Sequence, residues 1–160
     1  MWIKALEIIK NFSEPQIIDI GCGPGQFAEY LFDNGISKYQ GIDFSSEAIE
    51  MAKKRNSQHG ELFAVSNAYS SDIFDTSYNI VVLFEVLEHI EDDLKILERI
   101  RKGSNVLCSV PNFCSAGHLR WFETEMKIMQ RYNRIMRIDK IYKFDVGVNN
   151  KIYLLSALKI

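Results

Sequence analysis

The chain has 160 residues, of which 47% are hydrophobic and 25% charged, and its net charge is −2. This composition is typical of a soluble globular protein, and the length predicts one domain over residues 1–160. The near balance of acidic and basic residues argues against a protein that coats duplex nucleic acid, and no apolar run approaches the ~20 residues of a membrane span. Three cysteines without metal-ligand spacing favour reduced thiols and a cytoplasmic location.

In chain order, the sequence starts with an apolar segment that Lys4, Glu7 and Lys10 interrupt, which is not the pattern of a secretory signal. Strands are then predicted at 16–20, 39–43, 61–65, 78–84 and 105–110, and two β-rich runs at 135–144 and 152–158 suggest a terminal hairpin. Helices are predicted from residue 26, after a cap at Ser45, through 90–97 and over 123–132. This alternation predicts parallel strands with helices on both faces, and the hairpin adds an antiparallel strand at one side.

The strongest motif is Asp19-Ile-Gly21-Cys-Gly23-Pro-Gly25, which follows the first predicted strand. Glycines at alternate positions permit positive φ and let a ligand lie against the backbone at the start of the next helix. The dinucleotide-binding fingerprint needs a third glycine at position 26, where this chain has Gln26, and the lysine of a phosphate-binding P-loop is absent. The loop therefore predicts a nucleoside cradle without a diphosphate site, which disfavours an NAD-dependent oxidoreductase.

The second predicted strand ends at Asp43, 18 residues after Gly25. A carboxylate at this strand end can accept hydrogen bonds from both ribose hydroxyls of a nucleoside. Taken together with the glycine loop, the position of Asp43 predicts a ribose-binding residue.

Four motifs give the chain a family resemblance. The glycine loop, Gly41-Ile-Asp43, Glu85-Val-Leu-Glu88-His89 and Ser109-Val-Pro111-Asn112 follow one another across residues 15–115. In this order they resemble a class I S-adenosylmethionine-dependent methyltransferase, and the third motif is most similar to the ubiquinone-biosynthesis-like subgroup. The resemblance implies a Rossmann-like, doubly wound α/β fold with a seven-stranded mixed sheet of order 3-2-1-4-5-7-6 and a C-terminal antiparallel hairpin.

The resemblance also implies which residues bind S-adenosylmethionine, whose product is S-adenosylhomocysteine. Asp19 would orient the glycine loop and approach the amino group of the cofactor, and Asp43 would bind the ribose hydroxyls. Phe44 would lie beside the adenine. The other residues implied to line the cofactor pocket are Gly21, Cys22, Gly23, Gly25, Ala68, Phe84 and Glu85.

Asn67 stands where such families have an aspartate that accepts a hydrogen bond from the adenine amine. An amide oxygen can accept the same hydrogen bond, although more weakly than a charged carboxylate. The alternative interpretation is that Asn67 only forms a turn.

Glu85, Glu88 and His89 follow the fourth strand, and a helix there would place all three on one face. Three interpretations remain open. Glu85 could face the methionine end of the cofactor while His89 faces the acceptor, or Glu88 and His89 could be structural. In the third, the stretch and the later His118 bind a divalent ion, as in small-RNA terminal 2′-O-methyltransferases. We expect no metal, because the stretch also occurs in metal-free methyltransferases and His118 falls in a segment predicted to be a mobile lid.

Methyl transfer from a sulfonium is an in-line displacement, in which the protein mainly aligns the reactants. His89 or His118 could act as a catalytic base if the acceptor loses a proton. We therefore predict an S-adenosylmethionine-dependent methyltransferase with a small-molecule acceptor. The alternatives are a metal-dependent RNA 2′-O-methyltransferase and a non-catalytic cofactor-binding module. Only residues 1–14 and 111–124 can cap the site, so we expect an open pocket or one completed by a homodimer or another partner.

Overall fold

A computed structural model describes all residues, 1–160, and contains one seven-stranded sheet. The strand order is β3-β2-β1-β4-β5-β7-β6, which confirms the predicted order. The strands are β1 (Ile17–Ile20), β2 (Tyr39–Asp43), β3 (Phe63–Val65), β4 (Ile80–Leu83), β5 (Asn105–Pro111), β6 (Met136–Asp145) and β7 (Lys151–Lys159). The helices are α1 (Trp2–Ile9), α2 (Gln26–Asp33), α3 (Ser46–Arg55), α4 (Asp93–Arg99) and α5 (Glu125–Tyr132). None of these helices combines the length and the apolar character that crossing a membrane requires.

The two faces of the sheet carry separate layers of the core, because successive side chains of a strand point to opposite faces. In β4, Ile80 and Val82 pack in the layer formed with α1, α2 and α3, whereas Val81 and Leu83 pack in the layer formed with α4 and α5. Every residue of β1 and β4 is buried, as expected for central strands that helices cover on both sides.

The direction of the strands places a crevice at one edge of the sheet. Strands β1 to β5 pair in parallel, and β7 pairs antiparallel with both β5 and β6, which confirms the C-terminal hairpin. Strand order reverses between β1 and β4, so the connections that leave their carboxyl ends diverge to opposite faces of the sheet. Open α/β sheets bind their ligands in the crevice that this divergence leaves.

Two local predictions were wrong. Strand β3 begins at Phe63 rather than residue 61, because a 3₁₀ segment runs through Leu62. The helix expected from Ile90 begins only at Asp93, as α4, and the Glu85–His89 stretch before it is not helical. Glu85 has a φ of 56°, in the left-handed region, so the chain turns there and the three motif side chains do not share a helical face.

Candidate functional site

Two cavities lie at the carboxyl ends of β1, β2 and β4, and both are lined by Gly21 and Glu85. The first has a volume of about 520 Å³ and includes Asp43, Phe44, Asn67, Ala68 and His89 in its wall. The second has a volume of about 630 Å³ and includes Trp2, Asp19, Cys22, Gly23 and Phe84. The structure therefore brings most of the residues expected to bind the cofactor to two adjoining cavities.

Asp43 connects the glycine loop to the start of α3. Its Oδ2 accepts a hydrogen bond from the backbone N–H of Gly23 at 3.0 Å, and its Oδ1 accepts one from the N–H of Ser45 at 2.9 Å. Each carboxylate oxygen retains a second acceptor position. Asp43 can therefore hold the loop in place and still accept hydrogen bonds from a ligand in the first cavity.

Asn67 forms a turn and lines the cavity at the same time. Its Oδ1 accepts a hydrogen bond from the backbone N–H of Tyr69 at 2.9 Å, which is an Asx turn. The turn interpretation thus describes the observed conformation. The second lone pair of the amide oxygen is still available to an adenine amine, so both roles are compatible with the geometry. Phe44, at 85% exposure, lies on the rim of this cavity.

Asp19 is buried at the wall of the second cavity, with 3% of its surface exposed. Its Oδ2 accepts a hydrogen bond from the Tyr39 hydroxyl at 2.8 Å. Burial raises the pKa of Asp19 to about 7; the hydrogen bond from Tyr39 opposes this shift and the nearby Asp43 adds to it. A cationic ligand group beside Asp19 would favour its charged form. The neighbouring Cys22 is buried, and burial raises the pKa of its thiol well above the usual range, so this thiol stays protonated.

The glycine loop approaches the turn after β4 so closely that one glycine has no room for a side chain. A Cβ on Gly21, whose φ is +77°, would lie 2.5 Å from Cγ2 of Val86. Gly23 differs, because a Cβ there would meet no atom within 4 Å. Gly21 therefore permits the contact between the two loops, while the Cα of Gly23 faces space that a ligand can occupy.

Ser109, a fully buried residue of β5, holds Glu85 at the junction of the two cavities. The Ser109 hydroxyl accepts a hydrogen bond from the backbone N–H of Glu85 at 2.8 Å and donates one to Glu85 Oε1 at 2.7 Å. These two bonds fix both the backbone and the side chain of Glu85. They also account for its left-handed conformation, because the bond to Ser109 holds the backbone after β4 in this turn.

Glu88, His89 and His118 form a compact cluster beside the first cavity. One ligand atom from each residue lies within 4.8 Å of the others, and the two imidazole centroids are 4.9 Å apart. Nδ1 of His89 lies 2.9 Å from the Gly117 carbonyl, and Nδ1 of His118 lies 3.2 Å from the Phe113 carbonyl. Because a carbonyl only accepts, both Nδ1 atoms carry the proton, and each Nε2 keeps a lone pair.

Glu88 is the unusual member of this cluster. Its side chain is completely buried, and neither carboxylate oxygen has a hydrogen-bond partner. Burial and, to a smaller extent, the nearby Glu85 raise its pKa to about 8, although its own backbone N–H and the Arg120 guanidinium oppose this shift. A buried polar group without a partner costs free energy, so this carboxyl is the feature of the fold that most needs an added donor or cation.

The segment between β5 and α5, which carries His118, is tied to the turn after β4. The N–H of Leu119 donates to the Glu88 carbonyl at 2.7 Å, and the Arg120 guanidinium donates to three carbonyls within residues 87–91. These bonds hold His118 beside His89, in the segment that was predicted from the sequence to be a mobile lid.

Sequence reasoning missed several residues of this site. Trp2 was only part of an apolar N-terminal segment, although its helical spacing with buried Ala5 and Ile9 could have indicated α1. Ser109 belonged to a recognised motif, but its bond to Glu85 spans 24 positions. Arg120 gave no signal, because its partners are backbone carbonyls about 30 positions away.

Known sequences place the chain in one family. The sequence model of the family described as "Methyltransferase domain" matches residues 3–144. The mitochondrial ubiquinone biosynthesis O-methyltransferase of Schizosaccharomyces pombe is 31% identical over 106 residues, which are 61% of this chain and 38% of that protein. The chain thus spans less than half the length of this curated relative.

The solved structures share the fold. The N-methyltransferase NodS from Bradyrhizobium japonicum, solved with S-adenosyl-L-homocysteine, has a TM-score of 0.74 at 15% identity, covering 99% of this chain and 85% of its own. The [4+2]-cyclase SpnF has a TM-score of 0.78 at 12% identity, covering 99% and 80%. At these identities the likeness shows the fold alone, and the two names show that this fold carries different reactions. The family match over residues 3–144 shows more than the fold: the chain belongs to the methyltransferase domain family.

Proposed function

We propose that the chain transfers a methyl group from S-adenosylmethionine to a hydroxyl group of a small molecule. The observation that carries this proposal is the meeting of the two cavities at Gly21 and Glu85. The first cavity offers Asp43 and Asn67 to the adenosine part of the cofactor, and the second offers Asp19 to its amino group. The methyl group would then lie near Glu85, between the cofactor and the histidine cluster.

The reaction needs alignment more than activation, because the positive sulfur already makes the methyl group electrophilic. The methyl–sulfur bond breaks as the methyl–oxygen bond forms, and S-adenosylhomocysteine leaves with the electron pair of the broken bond. The proton of the acceptor hydroxyl passes to a base. His89 supports this role, since it lines the first cavity and its Nε2 has a free lone pair.

The charges near the first cavity support a small acceptor over RNA. Tyr69, in the cavity wall, also borders a depression lined by three acidic and two basic side chains: Glu91, Asp92, Glu98, Lys95 and Arg99. Lys95 pairs with Asp92, and Arg99 donates to two backbone carbonyls, so neither base is free to attract a phosphate group. Between residues 127 and 143, four of the six basic residues are paired with acidic residues of the chain: the pairs are Lys127–Glu123, Arg131–Asp93, Arg137–Asp139 and Lys143–Glu125.

Two finer expectations belong to the same proposal. The cytoplasm is the proposed compartment, and the three free cysteines, two of them buried, support it. Residues 1–14 and 111–124 stay the proposed caps, and three residues of α1 and its N-terminus, Met1, Trp2 and Ile3, line the second cavity. A homodimer that closes the pocket further would appear as a doubled mass in light scattering.

The first experiment tests cofactor binding by thermal shift with S-adenosylhomocysteine, S-adenosylmethionine, NAD and ATP. We expect only the first two to stabilise the protein, by about 2.7 kcal/mol at one hundred times the dissociation constant. Stabilisation by NAD alone would refute the assignment.

The second experiment measures methyl transfer to a panel of hydroxylated small molecules and to an RNA oligonucleotide with a free 3′ end. We expect turnover only with small molecules, and a loss of about 10²–10⁴-fold in His89→Gln with little change in cofactor affinity. Turnover on RNA alone would favour the RNA 2′-O-methyltransferase. Tight cofactor binding without turnover on any acceptor would favour a non-catalytic module.

A further inference from the structure

Tyr39 begins strand β2 and extends its side chain toward Asp19 of the neighbouring strand β1. Its hydroxyl donates a hydrogen bond to Asp19 Oδ2 at 2.8 Å, and both residues are buried. Asp19 also lines the second cavity. A single donor thus occupies one oxygen of this carboxyl, and the other oxygen stays available to a ligand in the cavity.

Gly41 makes room for this hydrogen bond. It lies opposite Asp19 in the register of β1 and β2. A Cβ at position 41 would lie 2.6 Å from Oη of Tyr39 and 3.0 Å from Sγ of Cys22. Any larger residue would therefore displace the Tyr39 hydroxyl, so the absence of a side chain here permits the contact between the two strands.

Other aromatic rings hold the ring of Tyr39 in place. The ring centroid of Phe32 lies 5.5 Å away in an edge-to-face arrangement, and that of Phe63 lies 5.6 Å away. These contacts do not involve the hydroxyl. The substitution Tyr39→Phe therefore keeps the packing of the ring and removes the hydrogen bond to Asp19.

The other groups around Asp19 provide it with no donor or positive charge. Its partner residue in β4 is Val82, which is apolar. No Lys, Arg or His side chain lines the second cavity, and the side chains that α1 and α2 contribute to it are uncharged. The remaining titratable neighbours are two acids and a buried thiol: Asp43, Glu85 and Cys22. Tyr39 is thus the only side chain that stabilises a negative charge on Asp19.

We propose that Tyr39 is a positioning residue, whose hydroxyl keeps the Asp19 carboxylate charged and directed toward the amino group of the cofactor. The inference rests on the proposed function, in which Asp19 faces that amino group. Burial and the adjacent Asp19 raise the pKa of the Tyr39 hydroxyl well above its usual range, so this group remains a donor.

The expected consequence is an affinity for S-adenosylhomocysteine that depends on pH. Burial raises the pKa of Asp19 to about 7, against the opposing effect of the Tyr39 hydroxyl. The charged carboxylate, which predominates above this pKa, attracts the amino group more strongly than the neutral acid does. Affinity should therefore increase as the pH rises through about 7. Tyr39→Phe should raise the pKa of Asp19 and move this increase to higher pH.

The experiment compares two ligands by titration calorimetry between about pH 5.5 and 8.5. S-adenosylhomocysteine has the amino group, and 5′-methylthioadenosine has the adenosine part alone. At neutral pH, Tyr39→Phe should weaken S-adenosylhomocysteine binding by about five- to tenfold and 5′-methylthioadenosine binding by less than about twofold. The ligand's own titration is the same for every protein compared. Equal losses for the two ligands would overturn the proposal.

Two further variants test whether the effect passes through Asp19. Asp19→Asn should lose the pH dependence, and adding Tyr39→Phe to it should weaken S-adenosylhomocysteine binding no further. Tyr132→Phe is the matched control, because it removes another buried hydroxyl that donates to a carboxylate, Asp93, at 2.8 Å. It should leave the pH profile of binding unchanged. A shift in Tyr132→Phe equal to that in Tyr39→Phe would contradict a specific role for Tyr39.

A measurement without ligand separates this proposal from the proposed function. Carbon-13 NMR of the Asp19 carboxyl follows its ionisation, and the midpoint should be at least about 0.5 pH unit higher in Tyr39→Phe than in the native protein. Gly41→Ala, which displaces the hydroxyl, should move the midpoint in the same direction and tests the contact even if Tyr39→Phe fails to fold. A shifted midpoint in protein that does not bind S-adenosylhomocysteine refutes the methyltransferase proposal alone. Binding with an unchanged midpoint refutes the role of Tyr39 alone.

Discussion

At the carboxyl edge of the sheet, the acidic side chains after β1 and β2 have hydrogen-bond partners, whereas one acidic side chain after β4 has none. At the ends of β1 and β2, Asp19 and Asp43 both accept hydrogen bonds from the protein itself. After β4, Glu88 is completely buried and has no partner. The chain itself thus provides donors to the carboxylates of the first half, whereas it provides none to Glu88 in the second.

A fourth carboxylate, Asp93, shows that the chain can provide donors to a buried acid elsewhere in the fold. Asp93, also fully buried, accepts two hydrogen bonds from Arg131, at 2.9 Å and 2.5 Å, and one from the Tyr132 hydroxyl at 2.8 Å. The chain thus satisfies one buried acid with its own side chains and leaves another unsatisfied beside two histidines. This difference is what marks Glu88 as a group in a site rather than a group in the core.

The largest effect on stability is expected for a substitution of Asp93, the buried acid that has hydrogen-bond partners. Asp93→Ala should lower the free energy of unfolding by about 2–4 kcal/mol, because it leaves the buried Tyr132 hydroxyl and the Arg131 guanidinium without their acceptor. Chemical denaturation at neutral pH measures this change. Arg137→Ala, which breaks an exposed pair with Asp139, is the control and should change stability by less than about 0.5 kcal/mol. Equal effects in the two variants would contradict the structural role of Asp93.

A substitution of Asp43 tests the part of the site at the ends of β1 and β2. Asp43→Ala should weaken the binding of S-adenosylhomocysteine by about 1.5–3 kcal/mol, because charge-assisted hydrogen bonds to the ribose are lost. Titration calorimetry measures the affinity. Asp43→Asn keeps one acceptor oxygen toward Gly23 or Ser45 and should lie between the native protein and the alanine variant. Unchanged affinity in Asp43→Ala would remove the ribose assignment.

Replacing Glu88, the buried acid without partners, should change the free energy of unfolding in the opposite direction from replacing Asp93. In metal-free protein, Glu88→Met should raise the free energy of unfolding by about 1–2 kcal/mol, because an apolar side chain of similar length replaces an unpartnered buried carboxyl. Glu88→Gln is the matched control, since its amide is equally without partners, and should change stability little. Both are measured by denaturation in the presence of chelator. Destabilisation by Glu88→Met would mean that Glu88 has a partner in solution.

The smallest effect is expected at Asn67. Asn67→Asp should bind S-adenosylhomocysteine at least as tightly as the native protein, and Asn67→Leu about 0.5–1.5 kcal/mol more weakly, if the side chain accepts from adenine. Asp preserves the turn to Tyr69, whereas Leu removes it, so melting curves without ligand separate loss of the turn from loss of adenine recognition. Equal affinity for all three proteins would show that the side chain does not contact the base.

The parts of the molecule that were predictable are those that follow from local patterns. The hairpin, the Ser45 cap and the place of Asp43 depend on periodicity or on motifs within a few residues, whereas the strand order was implied by the family resemblance; the structure agrees with all four. The Ser45 side chain, for example, accepts a hydrogen bond from the N–H of Ala48 at 3.1 Å, as the sequence predicts for a residue at this helix start.

The features that the sequence did not predict depend on contacts between distant segments. A helical face through Glu85, Glu88 and His89 was reasonable from spacing alone, but the bond from the Glu85 N–H to Ser109 turns the chain instead. The neighbourhood of His118 was equally inaccessible, because it is set by Arg120 reaching backbone carbonyls on another loop. Periodicity describes one element at a time, so it gives no information on such bonds.

The hydrogen bonds of Arg120 should also affect the rate at which molecules enter and leave the crevice. To swing away from the crevice, the segment that carries Leu119 and Arg120 would have to break the bond to Glu88 and three guanidinium bonds together. On the opposite side, Trp2 meets Phe27 through an apolar ring contact with centroids 5.8 Å apart, which gives way without unsatisfied polar groups. We therefore expect molecules to enter and leave faster past α1, so that the rate of product departure follows the packing of Trp2 rather than the bonds of Arg120.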